Sequence, residues 1–283
     1  MKEDQDNNVI VVAWDFTHVS EYALAHAVKI AYLGRYEVKL LHIVEPGAPS
    51  EKIEDARIKM MQVCTETSKY NGIVCKAVVK EGSLNSTISE YATQSNTKLV
   101  IMGTHGRKGF QKLLGSKALK VLVGSNSPFI VVKAKPADSL KMSNVVFPID
   151  FKSENKEKLQ WAIFIGQTFK SKVHLFKYPV SDSDLQKKVN TNLNFAIRFL
   201  KQNEIEYEIH TAQQKGNFTK ATIRFAESIN ADLIIVMTTK YITIFDFIFG
   251  AEEQKIIDNS AKIPVMCVNP RVGFAGVGQY LYG

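Results

Sequence analysis

The sequence contains one pattern of residues twice, with a constant separation between equivalent positions. Three pairs of identical residues, each 135 positions apart, show the register: Asp15 and Asp150, Leu40 and Leu175, and Gly115 and Gly250. A register that holds over most of a domain is hard to obtain by chance, so the repeat predicts two copies of one fold. The chain of 283 residues is long enough for two domains of roughly 100–200 residues each.

The repeat divides the chain into three segments. We predict domain 1 at residues 1–137, domain 2 at residues 138–272 and a separate tail at residues 273–283. The junction Ala134–Ser143 is too short for a free tether, so the two domains are expected to pack together. The tail combines glycines with four large apolar side chains, and this composition fits either docking on a protein surface or disorder.

Strand patterns alternate with helix patterns in each copy. The predicted strands of domain 1 are Val9–Asp15, Glu37–Val44, Val74–Lys80, Leu99–Met102 and Pro128–Lys133. The predicted helices are Ser20–Ala31, Lys52–Tyr70, Leu84–Ser95 and Lys117–Val123. Apolar strands joined by crossover helices predict a parallel sheet that is covered on both faces. We therefore predict an α/β fold with two tandem, doubly wound, Rossmann-like parallel-sheet domains.

A glycine-rich loop follows the most apolar strand of domain 1. Its small residues are Gly103, Gly106, Gly115 and Ser116. Glycine lets a backbone lie close to a ligand, and the N–H groups at a helix start favour phosphate. Ligands of an open parallel sheet bind beyond the carboxyl ends of the strands, where Asp15 and Ile43 are also expected. An anionic acceptor, an apolar wall and a glycine cradle suit a nucleoside phosphate.

Structural explanations exist for the same residues. The glycines could be turn positions, Asp15 could be a helix cap, and His105 could be a loop residue without a role. His42, at a strand end, suits a structural position. The loop contains neither the G-x-G-x-x-G dinucleotide fingerprint nor the Gly-Lys-Ser/Thr of a Walker loop.

Asp15, the Leu-Leu-His-Ile run at residues 40–43 and the glycine loop together resemble the universal stress protein family, in its tandem form, over nearly the whole chain. The family loop reads glycine, two residues, glycine, nine residues, then glycine with serine or threonine. Here eight residues, 107–114, separate the last two glycines, and Ala13 stands where the family often has proline. The resemblance implies the adenine nucleotide alpha hydrolase-like version of the Rossmann-like fold.

The resemblance also implies a ligand for domain 1, namely ATP, AMP or another adenine nucleotide. Mg²⁺ is expected to accompany it through the phosphates themselves. Asp15 would contact the adenosine part. The apolar residues beside the base would be Ala13, Ile43 and Met102. The remaining nucleotide-binding residues that it implies are Gly103, His105, Gly106, Gly115, Ser116 and Lys117. The sequence assigns no catalytic residue and no metal-ligating side chain.

Domain 2 departs from this loop. Thr238 and Tyr241 replace the first two glycines, and their side chains would occupy the space that a phosphate needs. Gly250 is retained without the neighbouring hydroxyl. We predict an inactive nucleotide site that is kept for structure, with a smaller adenosine-like ligand at Asp150 as the alternative. The apolar segment 241–250 is predicted to form a buried interface.

Three functions stay open at this point. The first is a stress-response regulator that binds an adenine nucleotide with little or no catalysis. The second is a slow ATPase or nucleotide-dependent transferase, for which His105 or Asp15 would be the catalytic group. The third is a scaffold of the same fold without a nucleotide. The sequence contains no carboxylate pair with clear acid–base spacing and no readable nucleophile–base arrangement, which favours binding over catalysis.

Composition limits the partners and the compartment. The net charge of +8 comes from 36 basic and 28 acidic residues that are spread along the chain, which does not favour nucleic acid. Cys64, Cys75 and Cys267 have no paired spacing and are interpreted as small apolar residues rather than a disulfide framework or a zinc site. No apolar run of ~18 residues and no signal peptide is present, so we expect a cytoplasmic protein without membrane contact. By analogy, a tandem chain can pair its two domains internally, and a homodimer or another protein partner is compatible with this.

Overall fold

The computed structural model describes residues 9–94, 96–104, 127–138, 140–151, 156–213, 217–237 and 255–269. The strands of domain 1 in these ranges are β1 (Val9–Ala13), β2 (Glu37–Val44), β3 (Cys75–Glu81), β4 (Thr97–Gly103) and β5 (Phe129–Val132). Its helices are α1 (His18–Gly34), α2 (Ser50–Asn71) and α3 (Leu84–Gln94). Each strand predicted for domain 1 is present, to within two residues at each end. The predicted helix Lys117–Val123 lies outside the described residues.

Domain 2 repeats this order of elements. Its strands are β6 (Asn144–Ile149), β7 (Lys172–Lys177), β8 (Tyr207–Thr211), β9 (Leu233–Met237) and β10 (Val265–Val268). Its helices are α4 (Lys156–Phe169), α5 (Ser183–Gln202) and α6 (Phe218–Ser228). The repeated order of strands and helices agrees with the duplication predicted from the sequence.

All ten of these strands belong to one sheet, in the order β3-β2-β1-β4-β5-β10-β9-β6-β7-β8. Within each domain the strands are parallel. The α/β fold class predicted from the sequence is therefore confirmed. The two five-stranded halves meet edge to edge, because β5 pairs with β10 in antiparallel register. Pairing of the two edges satisfies backbone groups that would otherwise be open to a second chain.

Two apolar clusters cover the two faces of this sheet. One contains residues of α1, α2, α4 and α5, and the other contains residues of α3 and α6. Neighbouring residues of β1 point into opposite clusters, Ile10 into the first and Val11 into the second, as expected for a strand that is buried on both faces. Each cluster continues from domain 1 into domain 2, so the two halves share their core.

Polar contacts add to the pairing of the halves. Lys133, just after β5, forms an ion pair of 2.7 Å with Asp258 in domain 2. Lys98 in β4 places its ammonium group 3.9 Å from the ring centre of Phe164 in α4. The junction is also held, because Lys29 donates hydrogen bonds to the carbonyls of Ala137 and Asp138. The prediction that the domains pack together is confirmed by these contacts.

His26 joins α1 to the junction. Its side chain is 3% exposed, and Nε2 lies 3.1 Å from the carbonyl oxygen of Ala134. A carbonyl only accepts, so Nε2 carries the proton, and Nδ1 has no hydrogen-bond partner among the described residues. Protonation would bury a charge and an unpaired N–H group. Burial therefore lowers the pKa of His26 to about 4, against a smaller opposing effect of the Ala134 hydrogen bond.

We expect this pKa to make the protein less stable in mild acid. In the unfolded chain His26 has a pKa of about 6.5 and is protonated as the pH falls below that value. In the folded chain the same ring stays neutral until the pH approaches about 4. The free energy of unfolding should therefore fall by up to about 3 kcal/mol as the pH decreases across this window. His26→Gln keeps a donor for Ala134 and should flatten the pH dependence in urea titrations. The substitution of the exposed His18, His18→Gln, should leave the pH dependence as in wild type. An equal dependence of the free energy of unfolding on pH in wild type and His26→Gln would contradict the assignment.

Candidate site at the carboxyl edge of domain 1

Three apolar residues that were predicted beside the base lie on one face of the sheet. Ala13 ends β1, Ile43 lies near the end of β2, and Met102 lies near the end of β4. All three pack in the same apolar cluster as α3. Met102 is 5% exposed, whereas Ala13 and Ile43 are half-buried. The carboxyl edge of domain 1 thus has an apolar surface of which part is open, as a flat apolar ring system requires.

Asp15 follows β1 at this edge and is half-buried. Its Oδ1 accepts hydrogen bonds from the backbone N–H of Thr17 at 3.1 Å and from the hydroxyl of Thr17. Thr17 is the N-cap of α1, so one oxygen of Asp15 helps to fix the start of this helix. The other oxygen, Oδ2, makes no hydrogen bond with the part of the chain that the structure describes. Asp15 thus orients the N-cap residue and does not cap the helix itself, and its ligand role stays a prediction.

Gly103 ends β4 against the first turn of α1. A Cβ atom on Gly103 would lie 2.1 Å from the carbonyl oxygen and 2.4 Å from the carbonyl carbon of Val19. Both distances are far below any contact that a real Cβ makes, and the neighbouring atoms belong to backbone that cannot rotate away. The close approach that requires glycine here is therefore to α1. A role of Gly103 toward phosphate stays a prediction beside this packing role.

An aromatic residue that was not predicted as part of the site lies next to Asp15. Phe16 is 41% exposed and adopts a φ of 62°, which is uncommon for a bulky residue. Its ring makes edge contacts with Trp14 and His42. His42 Nδ1 donates to the carbonyl of Trp14 at 2.8 Å, which agrees with the structural position expected for this histidine. The signal in the sequence was an aromatic residue directly after the strand-one aspartate.

The rest of the predicted nucleotide site lies outside the described residues. These positions are His105, Gly106, Gly115, Ser116 and Lys117, together with the neighbouring Arg107 and Lys108. The same holds for Thr238, Tyr241, Gly250 and Ala251 in domain 2, for the segment 241–250 and for the tail 273–283.

Domain 2 differs from domain 1 at the matching strand end. Lys158, which occupies the position of Ala23 in the repeat, is buried and donates a hydrogen bond of 2.6 Å to the carbonyl of Pro148. Its ammonium group lies 4.2 Å from the ring centre of Phe147. Asp150 is half-buried, and its carbonyl accepts a hydrogen bond from Asn192. The two copies therefore differ in the helix residues that pack near the end of the first strand, as well as in the loop sequence.

A cavity of about 190 Å³ lies at the carboxyl ends of β7 and β8 in domain 2, next to α5. Its lining includes Lys177, Tyr178 and Asn190. This volume is smaller than the roughly 300–1,000 Å³ of typical small-molecule sites, so we give this cavity no role in nucleotide binding. Within the described part of the chain, none of the helices combines the length and the apolar character that crossing a membrane requires.

Parallel sheets with helices on both faces and a carboxylate at the carboxyl end of the first strand define a pair of Rossmann-like α/β domains. The sequence matches the universal stress protein family over residues 7–133 and again over residues 142–269. The chain therefore belongs to the universal stress protein family, with two family domains in tandem.

Individual relatives agree with this assignment. Universal stress protein MJ0531 of Methanocaldococcus jannaschii is 28% identical over 137 residues, which cover 44% of this chain and 81% of the relative. Universal stress protein MJ0577 of the same organism is 26% identical over 153 residues, which cover 44% of this chain and 94% of the relative. Each relative thus corresponds to about one of the two domains.

A solved structure extends the fold similarity to both domains. The crystal structure of a universal stress protein from Archaeoglobus fulgidus superposes with a TM-score of 0.75 at 19% identity. The superposition covers 94% of this chain and 97% of that one. The fold is therefore shared over both halves.

Proposed function

We propose that domain 1 binds ATP or a related adenine nucleotide at the carboxyl edge of β1, β2 and β4. The observation that carries the proposal is the Oδ2 atom of Asp15, which makes no hydrogen bond with the described residues. It lies at the same edge as the half-open apolar surface of Ala13, Ile43 and Met102. An adenosine group needs both features, because its base is a flat apolar ring and its hydroxyl and amino groups donate hydrogen bonds. The ring of Phe16 would extend the apolar surface beside Asp15.

The phosphates belong at the loop that begins with Gly103 in this proposal. The family resemblance assigns them to Gly103, Gly106, Gly115, Ser116 and Lys117, with His105 as a further nucleotide-binding residue. Mg²⁺ would bind through the phosphates themselves. Domain 2 lacks the first two glycines of the loop and has a buried Lys158 beneath the matching strand end. One nucleotide per chain is therefore expected.

The bound nucleotide acts as a regulator in this proposal, because it biases the conformation or the partner choice of a stress-response protein. Slow ATP hydrolysis and a nucleotide-free scaffold are the competing functions. Native mass spectrometry of gently purified protein separates them by the mass and the stoichiometry of any bound nucleotide. Two nucleotides per chain would contradict the inactive second site, and the absence of ATP binding in calorimetry would support the scaffold. Phosphate release that is lost on changing Asp15 or His105 would support the ATPase.

Removal of the Asp15 carboxylate should weaken nucleotide binding while the matching change in domain 2 does not. A hydrogen bond to a charged group contributes about 1.5–3 kcal/mol, so Asp15→Ala should lower the ATP affinity at least about tenfold. Calorimetric titration with ATP and Mg²⁺ measures this change. Asp150→Ala removes the equivalent carboxylate and is the matched control. Equal loss of affinity in both variants, or in neither, would overturn the proposed site.

A loss of stability in Asp15→Ala has to be separated from a loss of binding. The backbone N–H and the hydroxyl of Thr17 lose their acceptor in this variant, which should cost about 1 kcal/mol of stability. Urea titration of the free protein measures this term on its own. The variant should therefore be fully folded under the conditions of the binding experiment.

A further inference from the structure

Two histidines and a glutamate lie close together on β7 and β8 of domain 2, outside the nucleotide site proposed for domain 1. His174 lies in β7, and Glu208 and His210 lie in the neighbouring β8. His174 and Glu208 are register partners in the parallel pairing of these strands, and His210 follows two residues later on the same face. One potential ligand atom from each side chain can be chosen such that all three lie within 4.8 Å of one another.

The orientation of the His174 ring is fixed by Asn144. His174 Nε2 lies 3.0 Å from Oδ1 of Asn144, and this oxygen only accepts hydrogen bonds. The amide of Asn144 is oriented in turn, because its Nδ2 approaches the carbonyl of Ile229 at 3.5 Å. Nε2 of His174 therefore carries the proton, and the lone pair is on Nδ1. A histidine that donates its second ring N–H to an oxygen acceptor is the usual outer-shell arrangement of a metal ligand.

The two imidazoles stand at a separation that suits one metal ion. Nδ1 of His174 lies 3.1 Å from Nε2 of His210. Two nitrogens bound tetrahedrally to zinc at about 2.0–2.1 Å are about 3.3 Å apart, which is close to the spacing found here. Oε1 of Glu208 lies 3.7 Å from Nε2 of His210 and would supply the third ligand. Glu208 is exposed, which leaves a fourth position open to water.

The side chains around the two histidines hold the rings in place and leave Glu208 able to turn toward a metal ion. His174 is buried, and the ring of Phe225 packs against both histidines. Nζ of Lys172 lies 3.8 Å from Oε2 of Glu208 and 2.8 Å from Oε1 of Glu206. Lys172 therefore keeps a carboxylate partner when Glu208 turns toward a metal ion.

The arrangement belongs to domain 2 and not to the shared fold. The position of His174 in the repeat is occupied by Lys39 in domain 1, and the register partner of Lys39 is Lys76. Lys76 forms an ion pair with Glu37 at 2.9 Å. Two lysines repel a cation, so this ligand set is present in domain 2 and not at the equivalent positions of domain 1.

We propose that His174, Glu208 and His210 form a binding site for a divalent transition-metal ion, with zinc as the preferred ion. Two imidazoles and one carboxylate suit zinc, cobalt or copper, whereas magnesium and calcium prefer oxygen ligands only. The site ties β7 to β8 near the edge of the sheet and is separate from the proposed nucleotide site.

Cobalt is the probe for this site, because its absorption in the visible range reports a tetrahedral nitrogen and oxygen environment. Metal-free full-length protein is titrated with CoCl₂, and ZnCl₂ is then added to displace the cobalt. Wild type should bind one equivalent with a visible absorption band that zinc abolishes. His210→Gln and Glu208→Gln should each lower the cobalt affinity at least about 100-fold, and Asn144→Ala about tenfold.

Two control variants separate this site from other metal-binding groups. His18→Gln removes an exposed histidine elsewhere, and Cys75→Ser removes one thiol of the pair whose sulfurs lie 3.2 Å apart. Both variants should keep the wild-type cobalt affinity. Unchanged affinity in His210→Gln and Glu208→Gln, or loss of binding in Cys75→Ser, would overturn the proposal. Zinc should also raise the melting temperature of wild type and not that of His210→Gln, which tests the site where a variant is less stable.

Discussion

Gly103→Ala should destabilise the protein by about 3 kcal/mol or more in the absence of any nucleotide. The new Cβ would lie 2.1 Å from the carbonyl oxygen of Val19, so either α1 or β4 has to move. Both elements carry core residues, and the movement would open the apolar cluster between them. Urea titration of the ligand-free protein measures the loss as a lower midpoint with an unchanged slope.

Gly72→Ala is the control for this change. Gly72 has a φ of +65° and nothing within 4 Å of the added Cβ. The substitution should therefore cost only the strain of a left-handed backbone, about 1 kcal/mol. If Gly103 served a ligand alone, Gly103→Ala would leave the free protein as stable as wild type, and that result would contradict the packing role.

Phe129→Ala should destabilise the protein by about 3–5 kcal/mol, because the deletion leaves a cavity where the two halves join. Phe129 is 1% exposed in β5, and it pairs with Val100 of β4 and with Cys267 of β10. Its apolar cluster includes residues of both domains. Differential scanning calorimetry should show one unfolding transition in wild type and one transition at lower temperature in the variant.

The exposed Phe151 provides the matched control, since Phe151→Ala also deletes a phenyl ring. Phe151 is 40% exposed, and its removal should change the free energy of unfolding by about 0.5 kcal/mol or less. Two separate transitions, of which Phe129→Ala shifts only one, would show that the halves unfold independently. That outcome would contradict the shared core.

The strands of domain 1 were predictable because their physical signal is local. Glu37–Val44 was predicted and found with the same bounds, since a mainly apolar segment between a glycine and a proline fits a strand of a parallel sheet. The duplication was also predictable without the structure, because it required only the comparison of the chain with itself. The apolar wall of the candidate site followed from the positions of strand ends.

Contacts between residues distant in sequence were not predictable in the same way. His174 and Glu208 are 34 positions apart, and their meeting depends on the register of two strands that no local pattern fixes. The only sequence signal was Glu208 and His210 at a spacing of two on one strand. Each cysteine is buried or half-buried, as expected from the sequence. The contact between two of them was not expected, because only the packing of α2 on β3 brings the Sγ atoms of Cys64 and Cys75 to within 3.2 Å.

The sequence by itself determined the repeat, the α/β class and the family, because these depend on periodicity and on residue types at fixed spacing. The tertiary structure alone decided that the two halves form one sheet through the antiparallel pairing of β5 and β10. It also changed the explanation of Gly103, whose required close approach is to the backbone of Val19 in α1. A sequence shows that a position has no side chain, but only the packed chain shows which neighbouring atoms fill that space.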